Sequence, residues 1–381
     1  MTTIEPGAVD PLAAERAARM TWARLVEPRE DKGRPLIAEH GHLGALARVR
    51  HDPTLLGRAA VARLTAFDLS RELRAADLVE ARVLIPGDPE WPLSLDDLAL
   101  PPHCLWVRGP ADLRAVTERS AAVVGARTAS AYGRQLAAEI SAGLAGRGFT
   151  IISGAAFGID AAAHHGALAV DGLTVAALAC GIDRAYPAAH TNLLKEILER
   201  GAVVTEMPPG SAPIRTRFLD RNRVIAALSL GTVVVEAGLR SGSLNTARHA
   251  AECGRYVGAV PGPVTSVTSA GTHELIRTRE AELVTDAAEV AELLGVMGDD
   301  LAPARRGPDR PEDRLGRKER TLWEALPASR GAPLSRLVEA TGMSASDVLQ
   351  ALGSLNLIGM AVRDRGGWRK PPEPKLEDTS P

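Results

Sequence analysis

The centre of this 381-residue chain predicts an α/β fold, a Rossmann-like doubly wound sheet with mostly parallel strands. Two observations carry that expectation. From Ser120 onward, short apolar runs alternate with helical patterns, and the runs lack the every-second-residue polarity of a sheet with one wet face. Glycine-bearing turns follow three of those runs, after Val124, Ile152 and Val235, on the edge where such sheets bind ligands. A small helical N-terminal domain and a winged-helix-like C-terminal domain complete the expected outline.

Taken in order, residues 1–85 read as short helices. LAAERAARMTWARL and TLLGRAAVARLTA carry apolar positions at helical spacing, interrupted near Pro28, Pro35 and Pro53. The unit suits either a helix-hairpin-helix module that touches DNA backbone or a plain docking domain. Residues 86–296 form the expected main domain. It is entered through a Pro-rich stretch, with one or two short strands between 81 and 120 and two packing residues, Trp91 and Trp106. Beyond it SAAVVGART, FTIISGAAFGID, LTVAALACGID, AVVTEM, GTVVVEAG and RYVGAVPG read as strands leading into turns, with helices between them. DRNRVIAALS is one of these helices and SLNTARHAAECG another. Residues 297–318, rich in Pro, Gly and charge, read as a linker. Residues 319–370 follow with three helices, the third capped by Ser344 or Ser346, and a strand-turn-strand at Gly366–Gly367. That third helix holds Asp347, Gln350 and Asn356 but no Arg or Lys, which favours a protein contact over reading a DNA groove. Residues 371–381 read as a disordered tail.

Composition narrows the function classes. A net charge of −2 means that any polyanion-binding surface is a local patch. Most basic residues are Arg; that suits phosphate, but the abundance of Ala and Gly makes GC-rich coding the simpler source. Cys104, Cys180 and Cys253 lie far apart and suit neither a zinc nor a disulfide framework, so a reduced cytoplasm is expected, with all three as core residues. The N-terminus has no signal-peptide pattern, and no apolar run approaches the ~18 residues of a membrane span.

The chemistry concentrates in RTRFLDRNRVIAALSLGTVVVEAGLRSGSLNT, residues 215–246. Arg215, Arg221 and Arg223 supply planar forks for phosphate oxygens, and Phe218 supplies a face for a base. The three-residue spacing from Arg215 to Phe218 puts both on one side of a loop or helical turn, while Asn222 suits a local backbone bond. A face salt-bridged toward solvent is the alternative. Ser241, Gly242 and Ser243 open a helix whose free N–H groups suit an anion, unless the turn is an ordinary cap. Gly125 and Arg127 of GART, with Gly154 and Gly158 of SGAAFGID, share that edge; the two later glycines permit close phosphate approach. Asp160 suits a helix cap or a ribose hydroxyl. His164 and His165 read as structural, and no metal-ligand spacing is present. G-A-R-T-A-S lacks the G-x-G-x-x-G of dinucleotide sites, which argues against a nicotinamide cofactor, and no other cofactor is expected. Glu236 has no catalytic partner in spacing, so anchoring an Arg of a helix or loop is the favoured role.

These segments resemble the DprA/Smf family of DNA-processing proteins. The likeness runs through GART, SGAAFGIDAAAHHGAL, CGIDRAYPAAHTNLL, TEMPPGSAP, RNRVIAALS, VVVEAGLRSGSLNTARHAAECGR and VGAVPGPVTSVTSAGTHELI, in order, over about residues 88–280. The resemblance implies binding of single-stranded DNA without sequence reading, protection of that strand and loading of a RecA-type recombinase onto it. It also implies a homodimer and no catalysis. Arg127, Phe218, Arg221, Arg223 and Ser241–Ser243 match the family pattern, and Arg215 stands where Lys is usual. Two departures bear on affinity: F-L-D-R-N-R replaces F-P-x-R-N-R, which puts Asp220 beside the implied DNA path, and His273 replaces a usual Asn. The competing reading is a nucleotide-binding enzyme that cleaves N-glycosidic bonds through Glu236; a scaffold without nucleic-acid binding is weaker.

Overall fold

The computed structural model describes residues 11–30, 32–304 and 311–372. Residues up to Pro303 form one compact unit and those from Ala304 a second. The expected tail from 373 onward, residues 305–310 of the expected linker, and the first ten residues lie outside the described residues.

Along the described residues the chain begins with helices α1 (Pro11–Leu25), α2 (Arg34–His51), α3 (Arg58–Ala66) and α4 (Leu69–Asp77). Their apolar stripes close on Trp22, Leu25, Leu46 and Val49. α1 and α4 also lend Met20, Ala23 and Ala76 to a core shared with Trp106 and Cys180 of the sheet. Arg16 bonds Asp88 and the Val83 carbonyl, so the helical unit is packed and hydrogen-bonded onto the sheet.

The strands are β1 (Arg82–Leu84), β2 (Leu105–Arg108), β3 (Ser120–Val124), β4 (Thr150–Ser153), β5 (Thr174–Ala177), β6 (Ala202–Thr205), β7 (Gly231–Val234), β8 (Tyr256–Ala259) and β9 (Glu282–Leu283). They make one sheet in the order β1-β2-β6-β5-β4-β3-β7-β8-β9. β3 through β9 pair in parallel, whereas β1 and β2 join antiparallel at the β6 edge. Helices α5 (Leu113–Thr117), α6 (Ala131–Ala145), α7 (Ile159–Leu168), α8 (Thr191–Arg200), α9 (Arg215–Leu228), α10 (Gly242–Glu252), α11 (Ala270–Arg277) and α12 (Ala287–Leu294) connect them.

Packing explains the unbroken apolar strands. Within β3, Ala122 and Val124 enter the core that holds Ile225 and Ala247. Ala121 and Val123 enter the opposite core with Ile140 and Val290. Both faces are covered, so no position along the strand is left to be polar. Trp91 and Trp106 are buried in separate cores, and each fixes part of the Pro-rich entry segment. Cys104 and Cys180 are buried, while Cys253 is only half-buried at the end of α10, a correction to the expectation of three core cysteines.

The chain leaves β3 toward β4, β5 and β6, then crosses back to place β7 on the other side of β3. Loops after β3 and β7 therefore diverge to opposite faces and leave a crevice between them. That crevice holds the candidate site.

In the second unit, α13 (Arg317–Ala325), α14 (Leu334–Thr341) and α15 (Ala345–Leu357) enclose Leu322, Leu337, Val348, Leu352 and Leu355. A hairpin of β10 (Val362–Asp364) and β11 (Gly367–Arg369) follows. Ser344 caps α15 by accepting the Asp347 N–H at 3.1 Å, and Asp347 also pairs with Lys318 at 2.5 Å. Asn356 donates to the Ala361 carbonyl at 2.9 Å, so it serves the turn after α15.

Candidate nucleic-acid interface

At the carboxyl ends of β3 and β7 lies a cleft of about 1120 Å³. Its lining comes from residues 125–128 after β3, Ala156 and Asp160 after β4, Tyr186 after β5, one side of α9, residues around the start of α10 between 238 and 246, and Val267, Thr268 and Ala270 before and at the start of α11. α9 begins at Arg215 and includes Phe218, earlier than the DRNR start expected from sequence. Arg215, Phe218, Leu219, Asn222 and Ile225 recur at helical spacing and so share the face toward the cleft.

Phe218 packs against one cation and one ring. The Arg127 guanidinium carbon lies 4.7 Å from its ring centroid, and the Tyr186 ring centroid is 5.6 Å away. Arg127, Arg215 and Arg240 are exposed, line the cleft, and have no hydrogen-bond or ion-pair partner among the described residues. An Arg without a carboxylate keeps all its donors for a ligand. Across the cleft Ser241 caps α10, with its hydroxyl 2.7 Å from that of Ser243 and 3.4 Å from the Ser243 N–H. Gly242 is exposed at the helix start, where backbone donors and the helix dipole favour an anion.

Other predicted residues take structural roles. Arg221 lines the cleft but is 6% exposed, and its Nη1 donates to the carbonyls of Gly154 at 2.7 Å and Ala177 at 2.6 Å. It ties the ends of β4 and β5 together. Burial lowers the pKa of this guanidinium, while Asp160 opposes the shift. Asp160 accepts the Gly154 N–H at 3.2 Å and the Ala156 N–H at 3.4 Å; burial raises its carboxyl pKa against the pull of Arg221. It thus holds the glycine turn in shape. Asn222 does not make the local bond expected of it. Its amide reaches the Gly242 carbonyl at 3.1 Å and joins α9 to the start of α10.

Arg223 is not in the cleft. It is 3% exposed, ion-paired to buried Glu206 and hydrogen-bonded to the Leu100 carbonyl. One helical position after Asn222 the side chain points into the protein, and sequence spacing alone had not separated the two. Gly154 and Gly158 also act differently from expectation. The space a Cβ would fill at Gly154 is taken by the Arg221 guanidinium, and Gly158, at φ +81°, faces the Ala126 and Arg127 carbonyls. At both glycines the space next to the backbone is taken by protein groups. Gly125 likewise abuts Ile159 and the Glu236 carbonyl.

Glu236 is 2% exposed and anchors α6, not an Arg. One carboxylate oxygen accepts the Ser130 N–H at 2.9 Å; the other accepts the Ser130 hydroxyl at 2.6 Å and that of Thr268 at 3.1 Å. His164 is buried with Nδ1 2.7 Å from the Thr174 hydroxyl, and burial lowers its pKa to about 3, so it stays neutral.

Residues 82–295 match the family model described as DNA recombination-mediator protein A. A Mycobacterium tuberculosis protein named DNA processing protein DprA is 46% identical over 369 residues, covering 91% of this chain and 93% of its own. This chain belongs to the DprA family. Protein Smf of Escherichia coli is 39% identical over 294 residues, or 75% of this chain and 76% of Smf. The solved DprA of Streptococcus pneumoniae aligns with a TM-score of 0.63 at 30% identity, covering 74% of this chain and 98% of that one. DNA processing protein A of Helicobacter pylori, described for its single-stranded DNA binding mode, aligns at 0.50 with 28% identity over 55% of this chain and 94% of that one.

Both departures from the DprA pattern fall outside the cleft lining. Asp220 is buried and faces Arg29 at 3.9 Å. His273 Nε2 lies 3.0 Å from the Gly262 carbonyl and ties a local loop. Sequence reasoning missed Tyr186 and Arg240 as lining residues. Both stood inside motifs already quoted, AYPAAH and GLRSGS, but only the fold shows that these loops meet at one edge.

Proposed function

We propose that this cleft binds single-stranded DNA through its backbone and one stacked base, and that the protein presents the strand to a RecA-type recombinase. One observation carries the reading: Arg127, Arg215 and Arg240, which have no hydrogen-bond or ion-pair partner among the described residues, line one cleft with Phe218 at the sheet's switch point, and Arg127 stacks on its ring. Phosphates lie along those guanidinium groups and the Ser241–Ser243 turn, and a base stacks on Phe218. Arginine forks address phosphates and a stacking ring accepts any base, so recognition is independent of sequence.

The family description supports the recombinase partner and the H. pylori relative supports the single strand. A homodimer and a cytoplasmic site of action belong to the same reading. So does the absence of a catalytic step, supported by Glu236, whose carboxylate oxygens both accept hydrogen bonds from Ser130, with Thr268 on one of them. Incubation with nucleoside monophosphates checks that point: no free base should appear. The main test is equilibrium binding of labelled oligonucleotides. The parent protein should prefer a single strand to a duplex, and Arg215→Ala and Phe218→Ala should each weaken the single-strand complex. Parent-like binding by both variants would contradict the site.

A further inference from the structure

The helix that carries Arg215 and Phe218 starts poorly by its own means. α9 has no side-chain cap at Ile214 and no acidic residue in its first turn, where Arg215 and Arg217 stand instead. Cations there oppose the helix dipole. The missing anion comes from far away in sequence. Glu27, just after α1, accepts Arg217 Nε at 2.9 Å and Nη2 at 3.0 Å, a two-pronged pairing. Arg63 of α3 holds the same carboxylate at 3.0 Å and so fixes it within the helical unit. Burial raises the Glu27 pKa, but the bonds and charges of Arg217 and Arg63 outweigh it and hold the carboxyl below its ordinary value. Nearby, Arg24 donates to the Pro209 carbonyl at 2.7 Å, on the loop that leads into α9, and pairs with Glu72 at 2.5 Å.

From this clamp we infer that Glu27 is a positioning residue for DNA binding: the N-terminal helical unit, through the Glu27–Arg217 pair, sets the first turn of α9 and so places Arg215 and Phe218 in the cleft. The inference rests on the proposed single-strand reading and adds the helical unit to it. Arg217 does not line the cleft. Its effect on DNA therefore passes through helix position.

The sign of the effect makes a sharp test. Removing a carboxylate near a polyanion site should strengthen binding by Coulomb's law alone. Positioning requires the opposite. Glu27→Gln, Arg217→Gln and the double variant of the full chain are compared in binding to a labelled oligo-dT strand over a salt series, with denaturant midpoints measured alongside. Glu27→Gln should weaken binding about fivefold while the slope of affinity against salt stays at the parent value, because no phosphate contact is lost. The double variant should bind no worse than Glu27→Gln, since both changes break one pair. Unchanged or tighter binding by Glu27→Gln overturns the inference, as does a double variant weaker still with a flatter slope, which would make Arg217 a direct contact. If Glu27→Gln does not fold, Arg217→Gln decides by its slope: parent-like with weaker binding supports positioning, flatter opposes it. Arg127→Ala separates the two levels. Parent-like binding by Arg127→Ala defeats the cleft reading, whereas its loss with an unaffected Glu27→Gln defeats only this inference.

Discussion

Two sets of arginines in and around one helix have opposite fates. Arg221 and Arg223 of α9 are buried, one bonded to strand-end carbonyls and the other to Glu206. Arg127 and Arg215 are exposed in the cleft that Phe218 lines, and neither is ion-paired to a carboxylate among the described residues. The R-N-R motif invites a single role for its arginines, yet partners decide the role. A guanidinium whose donors are spent on carbonyls and a buried acid is architecture, and one left open beside an aromatic ring is available to a ligand. Arg217 is a third case, neutralised by another part of the chain.

The comparison breaks most visibly in the core. Arg223→Ala should leave the buried Glu206 carboxyl without its partner, and lower stability by about 3–5 kcal/mol in a denaturant titration. Arg127→Ala should leave the denaturant midpoint at the parent value. Next in size, Phe218→Ala should lose about 1–3 kcal/mol of single-strand affinity, read by fluorescence anisotropy. On a strand of abasic sites that loss should vanish, because no base remains to stack. Smaller again is the Tyr186 effect. Tyr186→Leu should weaken binding by about 0.5–1.5 kcal/mol, while Tyr186→Phe keeps the ring and stays near the parent.

A pH measurement sharpens the contrast from the buried side. Burial pushes the Glu206 carboxyl from 4.5 up to about 6, with Arg223 opposing the shift. Its folded pKa is raised, so the native state holds the proton more tightly than the unfolded chain between those values. Stability should therefore decline as pH rises from about 4.5 to about 6 and level off above it. In Glu206→Gln that component should be missing from the difference between the two stability profiles.

The sheet was legible in the sequence because its strands are covered on both faces and carry no polar alternation, as β3 shows with Ala121 and Val123 in one core and Ala122 and Val124 in the other. The cleft was legible in part. Arg127, Phe218 and Ser241–Ser243 stand at strand or helix ends, where local pattern predicts position. Arg223 was not legible, because its direction depends on where α9 begins and on Glu206, which lies seventeen residues earlier, just after β6. Glu27 was invisible for the same reason: its partner Arg217 is 190 residues away. The glycines misled because a tight turn looks alike whether it admits a phosphate or, as at Gly154, a guanidinium.

The salt dependence of single-strand affinity in Arg127→Ala, against the parent, tests the central claim most directly. If Arg127 neutralises a phosphate, affinity falls and the slope of log affinity against log salt becomes shallower by about 0.7. An affinity and a slope equal to the parent's would show that this cleft is not where the strand lies.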